Sequence, residues 1–144
     1  MSQENVETIR SLMPDPETDV ARMVRDLREP TLAATARDAV EPLFHPDFEA
    51  VARHTATRYP GPDGLRDFWL DWLEPWASYY IGIEKIVDDG DRVLIAAHDR
   101  GRRRDMDAEV EVHGGSVWTF QDGKILRAEF YPSSEAIAAI WPSE

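Results

Sequence analysis

Beyond Pro75 the large apolar residues recur at every second position, whereas before it they recur every three or four. The first spacing belongs to strands and the second to helices, so the chain reads as helices followed by sheet. The sharpest stretch is Gly114 to Phe120, where Trp118 and Phe120 fall on one side and Val117 and Thr119 on the other, as in a strand packed on both faces. Asp122-Gly123 follows as a hairpin turn, since glycine tolerates the positive φ that such turns require. The return strand, Lys124 to Tyr131, places Leu126, Ala128 and Phe130 on one face and Ile125, Arg127, Glu129 and Tyr131 on the other, and Pro132 ends it. The same period marks Tyr79 to Val87, then Arg92 to Arg100 after the turn at Asp89-Gly90, then Glu109 to Phe120. Strands in sequence joined by turns make an antiparallel meander.

The helical half begins at Ser2, which caps a helix to about Leu12 with Val6, Ile9 and Leu12 or Met13 on one side; Pro14 and Pro16 end it. Asp19 caps a second helix, in which Val20, Met23, Val24 and Leu27 form a half-buried stripe, and Pro30 closes it. Thr31 opens a third that runs through Val40 and ends near Glu41, because the residue before Pro42 is pushed out of the helical region. His45-Pro46-Asp47 then reads as a turn into a short strand near Phe48 to His54. The strongest helix, capped by Asp63 or Gly61, carries Leu65, Phe68, Trp69, Trp72, Leu73 and Trp76 on a broad aromatic face. Such a stripe is first of all core, with Trp69 and Trp72 as the members that could serve as a ligand platform. A small helix from Ser133 or Ser134 to Ile140 closes the chain. The expected fold is α+β, a single domain over residues 1–144 with helices packed on one face of a long, curved antiparallel sheet.

Charge and composition narrow the classes of function. A chain of this length buries roughly 68–70% of its unfolded surface, so no cofactor is needed to explain its stability and none is expected. A net charge of -12 opposes phosphate polymers and anionic lipid, so neither nucleic acid nor membrane is an expected partner. Without cysteine there is no disulfide, thiolate nucleophile or thiolate metal site. The segment MSQENVETIR lacks the basic and apolar parts of a secretory signal, and no apolar run approaches the ~20 residues of a membrane span. A cytoplasmic location is expected. The histidines show no HxH or HExxH spacing, so no metal site is expected either. Arg100, Arg102, Arg103 and Arg104 sit where the second hairpin should turn and read as a solvated tip, with anion binding as the other use.

Four segments together carry a family resemblance: SQENVETIRSL, PGPDGLRDFWLDWL, DDGDRVLIAAHDRGR and VWTFQDGKILRAEFY. In order and spacing the chain resembles the SnoaL-like members of the NTF2-like superfamily, except between Pro14 and Glu41, where it carries an extra helical stretch. The resemblance implies a cone-shaped α+β fold whose sheet wraps round the helices and leaves a deep, mostly apolar cavity open at one end. It also implies a homodimer formed through the outer face of the sheet, where Tyr131 and Ile125 are expected. The superfamily includes polyketide cyclases, ketosteroid isomerases, epoxide hydrolases and plain binding modules, so the fold leaves function open.

Carried over by position, the isomerases' oxyanion acid falls at Ser116, and the cyclases' histidine falls at the same place with their acid at about Phe130. The isomerases' base falls near Val51 to Arg53, where this chain has no carboxylate. The arginine and paired aspartates of the epoxide hydrolases have no clear counterpart. The implied cavity face is Val112, Gly114, Ser116, Trp118, Phe120, Ala128 and Phe130, apolar with one hydroxyl. Enolisation at neutral pH needs a base beside the carbon acid and a donor at the oxyanion, and neither is in its inherited place.

Relocated groups are therefore the catalytic candidates. His98 faces Ser116's side if the hairpin register sets it opposite Val112, and a one-residue slip turns it outward. His54 stands where the first strand leaves the core, in reach of Tyr59 or Arg53. Ser116 reads better as a donor to ligand than as a nucleophile, since GxSxG and SxxK contexts are absent. His113 and His45 read as surface residues, and Arg127, Glu129 and Tyr131 as cross-strand partners or a dimer surface. The expected function is a small-molecule-binding protein that holds a hydrophobic or aromatic metabolite against Trp118 and Phe130. The alternative is a cyclase, isomerase or hydrolase that uses His98 or His54 as base in the same cavity.

Overall fold

A computed structural model of the chain describes residues 2–133 and residue 138. Helices α1 (Ser2–Leu12), α2 (Val20–Asp26) and α3 (Pro30–Val40) come first, then a 3-10 turn at Glu41–Leu43 and strand β1 (Phe44–Ala52). A short β2 (Thr57–Pro60) and helix α4 (Gly64–Leu73) follow. Strands β3 (Trp76–Tyr80), β4 (Ile83–Asp89), β5 (Arg92–Arg103), β6 (Glu109–Gln121) and β7 (Lys124–Tyr131) complete the sheet. The closing helix expected from Ser133 or Ser134 to Ile140 lies outside the described residues, apart from residue 138.

The caps explain where the helices stop and how they meet the sheet. Asp19 Oδ1 accepts from the amides of Ala21 and Arg22, and also from the amide of Tyr79 at 3.1 Å, which ties the start of α2 to β3. Pro30 opens α3 instead of closing α2: it sits at the first turn, where a missing N–H costs nothing, behind a Glu29 cap. Pro75 likewise keeps Trp76 off α4, and Trp76 opens β3 instead. The guanidinium of Arg25 donates to the carbonyls of Leu73 and Trp76 and so holds that end in place.

The strands run in the order β2-β1-β7-β6-β5-β3, with β4 paired to β5 beside β3. All neighbours are antiparallel except β1 and β7: β4 to β7 form the expected antiparallel meander, and the parallel pairing of β1 with β7 makes the sheet as a whole mixed. Period two marks a strand but not its direction, and the first strand returns beside the last only through tertiary structure.

Three local departures from simple alternation position the site. The strand expected over Tyr79 to Val87 breaks at Ile81-Gly82 into β3 and β4, and His98 N–H donates to the Gly82 carbonyl at 2.8 Å. Next, β5 runs on to Arg103, so Arg100 and Arg103 are strand residues laid over the rings of Tyr80 at 4.2 Å and Trp76 at 5.6 Å, not a loop tip. Arg104 remains in the turn. Lastly, the β6–β7 pairing passes from Thr119↔Arg127 to Phe120↔Ile125, leaving Leu126 as an extra residue. That bulge turns Ile125 into the core, where it is fully buried, and removes it from the outer face where a dimer contact was expected.

One core cluster joins Phe48, Ile95, Trp118, Phe120, Ile125 and Ala128 of the sheet to Ile9 of α1 and Phe68 of α4. A second joins Val20 and Val24 of α2 to Leu73 and Tyr79. No helix among the described residues is long and apolar enough to cross a membrane.

Candidate functional site

Between the helices and the inner face of the sheet lies a cavity of about 280 Å³. The periodicities of α4 and β6 bring Trp69, Trp72, Val112, Ser116 and Trp118 onto its walls, together with Phe130 of β7. Phe120 and Ala128, expected on the same lining, are instead buried in the core outside it, where the bulge at Leu126 sets Phe120 opposite Ile125. Ser116 is buried, and its Oγ accepts from Trp118 Nε1 at 2.8 Å, a contact made possible because residues i and i+2 of a strand share a face.

Of the two candidate histidines, His98 faces away from the cavity and His54 stands on its rim. His98 pairs with His113 across β5 and β6, not with Val112, so it faces outward. Its ring stacks on that of His113 at 4.1 Å, and its Nε2 meets Glu111 Oε1. The register differs by one residue from the one that would turn it inward, and a one-residue slip exchanges the two faces of a strand. His54 is exposed and stands edge-on to Trp72 at 5.7 Å, on the cavity rim. The partners expected for it are engaged elsewhere: Arg53 with Glu129, and Tyr59 with Asp71 at 2.8 Å.

The residue that the slip turns inward is Asp99, set opposite Val112. It is 9% exposed and lines the cavity. Tyr79 donates its hydroxyl to Asp99 Oδ2 at 2.7 Å, while Oδ1 is buried and has no hydrogen-bond partner among the described residues. Burial pushes the Asp99 carboxyl up to about 6, against the opposing pull of the Tyr79 hydrogen bond, the Gly82 amide and the charges of His98 and His113. Burial and the adjacent carboxylate together raise Tyr79 well above the usual phenol range, and a hydrogen bond with Trp72 opposes them. Trp72, Tyr79 and Asp99 thus form a chain of polar contacts that ends at a buried carboxylate oxygen with no partner among the described residues.

Asp99 and Ser116 share the inner face of the sheet at different levels, Asp99 opposite Val112 and Ser116 opposite Ile95. From the level of Val112 to Ser116 is four residues of extended strand, roughly 13 Å along the backbone, so the two groups stand well apart on the wall. On the outer face, donor atoms of Glu84, His98 and His113 lie within 4.8 Å of one another. Glu84 and His113 are exposed and His98 is already engaged by Glu111, so we assign no ion to this cluster.

A family model described as a SnoaL-like domain matches residues 8–128. The chain belongs to the SnoaL-like family. No curated protein matches it. Among solved structures, it is similar to a putative SnoaL-like polyketide cyclase from Jannaschia sp. CCS1, at 17% identity and TM-score 0.66 over 97% of this chain and 94% of the other. An NTF2-like protein from Burkholderia xenovorans LB400 matches at 16% identity and TM-score 0.60 over 96% of each chain. A hypothetical protein with a ketosteroid isomerase-like fold from Catenulispora acidiphila DSM 44928, in complex with trimethylamine, matches at 18% identity and TM-score 0.57 over 72% and 79%. These likenesses establish the NTF2-like fold. Among the described residues, the one buried carboxylate on the cavity wall comes from β5, where neither the oxyanion acid nor the base implied by the resemblance falls.

Proposed function

We propose that this SnoaL-like protein binds a small, mostly apolar, ring-bearing molecule in the cavity, with Asp99 as its ionisable contact. The observation that carries the reading is Asp99 Oδ1, a buried acceptor without a partner among the described residues, on an otherwise largely apolar wall. A buried polar atom of this kind costs about 1–3 kcal/mol unless something hydrogen-bonds it, and a ligand supplies what the fold leaves out. The roughly 13 Å of strand between the levels of Asp99 and Ser116 favours binding over enolisation, because a base and an oxyanion donor must meet at one carbonyl. That a protein of the same fold is in complex with trimethylamine supports small-molecule occupancy as a use of this architecture.

Thermal or chemical denaturation against a library of ring-bearing hydrophobic compounds tests the reading. A true ligand stabilises saturably, by about 2.7 kcal/mol at one hundred times its dissociation constant, and loses affinity at least tenfold in Asp99→Asn. A broad library without a single stabiliser counts against it.

One observation favours a second reading, in which the bound molecule is also turned over. A carboxyl titrating at about 6 is poised to take a proton at neutral pH, so Asp99 replaces the histidines as the base. Asp99→Asn should then cut turnover of a bound compound by ~100-fold or more. Unchanged turnover would rule out Asp99 as the base.

A further inference from the structure

We infer that the ligand of this cavity is a protonated tertiary amine on an apolar body, its N–H donated to Asp99 Oδ1 and its alkyl groups packed among Trp69, Trp72 and Tyr79. The inference rests on the binding reading above and names the chemical class of what is bound. Three independent features point to a cation. First, Asp99 holds a buried carboxylate whose Oδ1 has no donor, and no arginine, lysine or histidine makes an ion pair with Asp99 among the described residues. The cations nearest the cavity are committed elsewhere: Arg66 to Asp63 and Asp67, Arg37 to Glu41. An unpaired buried charge is costly, and a positive ligand group removes that cost more fully than a neutral one.

Second, the walls beside that carboxylate are electron-rich rings. Tyr79, whose hydroxyl touches Asp99, has Trp69 and Trp72 each at 6.4 Å between ring centroids, tilted by 57° and 86°. All three rings border the cavity. Indole and phenol rings attract cations through their quadrupoles, most strongly where water is displaced, and N-alkyl groups spread the positive charge over a surface that suits them. Third, the chain carries a net charge of -12, so its field draws cations in and repels anionic metabolites. Asp99 Oδ1 decides between kinds of cation. A quaternary ammonium has no N–H and leaves Oδ1 unbonded, whereas a protonated tertiary amine offers one donor to one acceptor.

Titration calorimetry with three probes of nearly the same shape tests this: N,N-dimethylbenzylamine, its carbon isostere isobutylbenzene, and benzyltrimethylammonium. The amine is expected to bind at least tenfold more tightly than isobutylbenzene, and more tightly than the quaternary salt. That advantage should vanish in Asp99→Asn and shrink in Trp72→Leu, while isobutylbenzene is affected less by either change. Equal binding of amine and hydrocarbon, indifferent to Asp99→Asn, overturns the cation inference and leaves the cavity reading standing. Quaternary binding as tight as the amine's overturns the hydrogen bond to Oδ1. If none of the three binds and no library compound stabilises the protein, both readings fall.

Discussion

Tyr79 donates its hydroxyl to Asp99 Oδ2 at 2.7 Å, and the other oxygen of the same carboxylate, Oδ1, stays buried without a partner among the described residues. A side chain held in this way is half satisfied, and its charge is a burden to the fold. The carboxyl titrates at about 6 in the folded protein against an ordinary 3.8. Between those values the folded state keeps a proton that the unfolded chain has released, so the stability contributed by this group falls as pH rises from about 4 to 6 and is level above that. Asp99→Asn removes the penalty and keeps an acceptor for Tyr79. The variant should be more stable than the parent by on the order of 2–3 kcal/mol at pH 7, with the gap closing towards pH 3.5. Urea titrations at the two pH values measure this, and an equal difference at both contradicts it.

Tyr79→Phe acts on the same pair from the other side. Loss of the hydroxyl strips Oδ2 of the donor that Oδ1 already lacks, so the Asp99 titration should move further up. At pH 7 the stability loss should be about 1.5–3 kcal/mol, the range for a hydrogen bond to a charged group. In the Asp99→Asn background the same substitution should cost clearly less. A double-mutant cycle reads the coupling directly, and additive losses would show that the two side chains act independently.

How this site arises shows where sequence reading stops. Trp69 and Trp72 follow from the helical spacing of α4, and Ser116 and Trp118 from the alternation of β6, and all four side chains border the cavity. Asp99 was signalled as well, because Ile95, Ala97 and Asp99 occupy every second position of β5. Choosing between that face and the one holding His98 required the register of β5 on β6, and that depends on β5 continuing to Arg103 before it turns. Rings laid under Arg100 and Arg103 by β3 extend the strand, a tertiary effect absent from local pattern. The same limit hid the bulge at Leu126 and the parallel pairing of β1 with β7, since alternation encodes neither an inserted residue nor a strand's direction.

Burial should separate ion pairs that look alike in the sequence. Arg53 pairs with Glu129, whose side chain is 10% exposed, whereas Arg28 and Glu74 pair at 57% and 66% exposure. Arg53→Ala strands a nearly buried carboxylate, and should cost about 1–3 kcal/mol once the partial exposure of Arg53 is allowed for. Arg28→Ala breaks a solvated contact and should cost at most ~0.5 kcal/mol. Denaturation midpoints of the two variants decide it, and similar losses would refute a burial-based ranking.

Gly101 tests the packing that fixes the register. A Cβ placed there would meet the Trp76 ring at 2.7 Å and the carbonyl oxygen of Ser78 at 2.8 Å. The ring could shift, but the carbonyl belongs to the paired backbone of β3, whose Tyr79 lies directly across from Gly101. Gly101→Ala must therefore part β3 from β5 or displace Trp76, which is buried in the cluster that also holds Tyr79. Overpacking of this kind costs about 1–3 kcal/mol. Because the strain falls on the strand that carries Tyr79, the variant should also shift the Asp99 titration seen by carboxyl NMR. Gly90→Ala is the control: nothing lies within 4 Å of its Cβ, but its φ of +71° makes it a strained turn remote from this packing. It should lose stability with the Asp99 titration unmoved, and a shift of equal size in both variants would break the proposed link between Trp76 packing and the carboxylate.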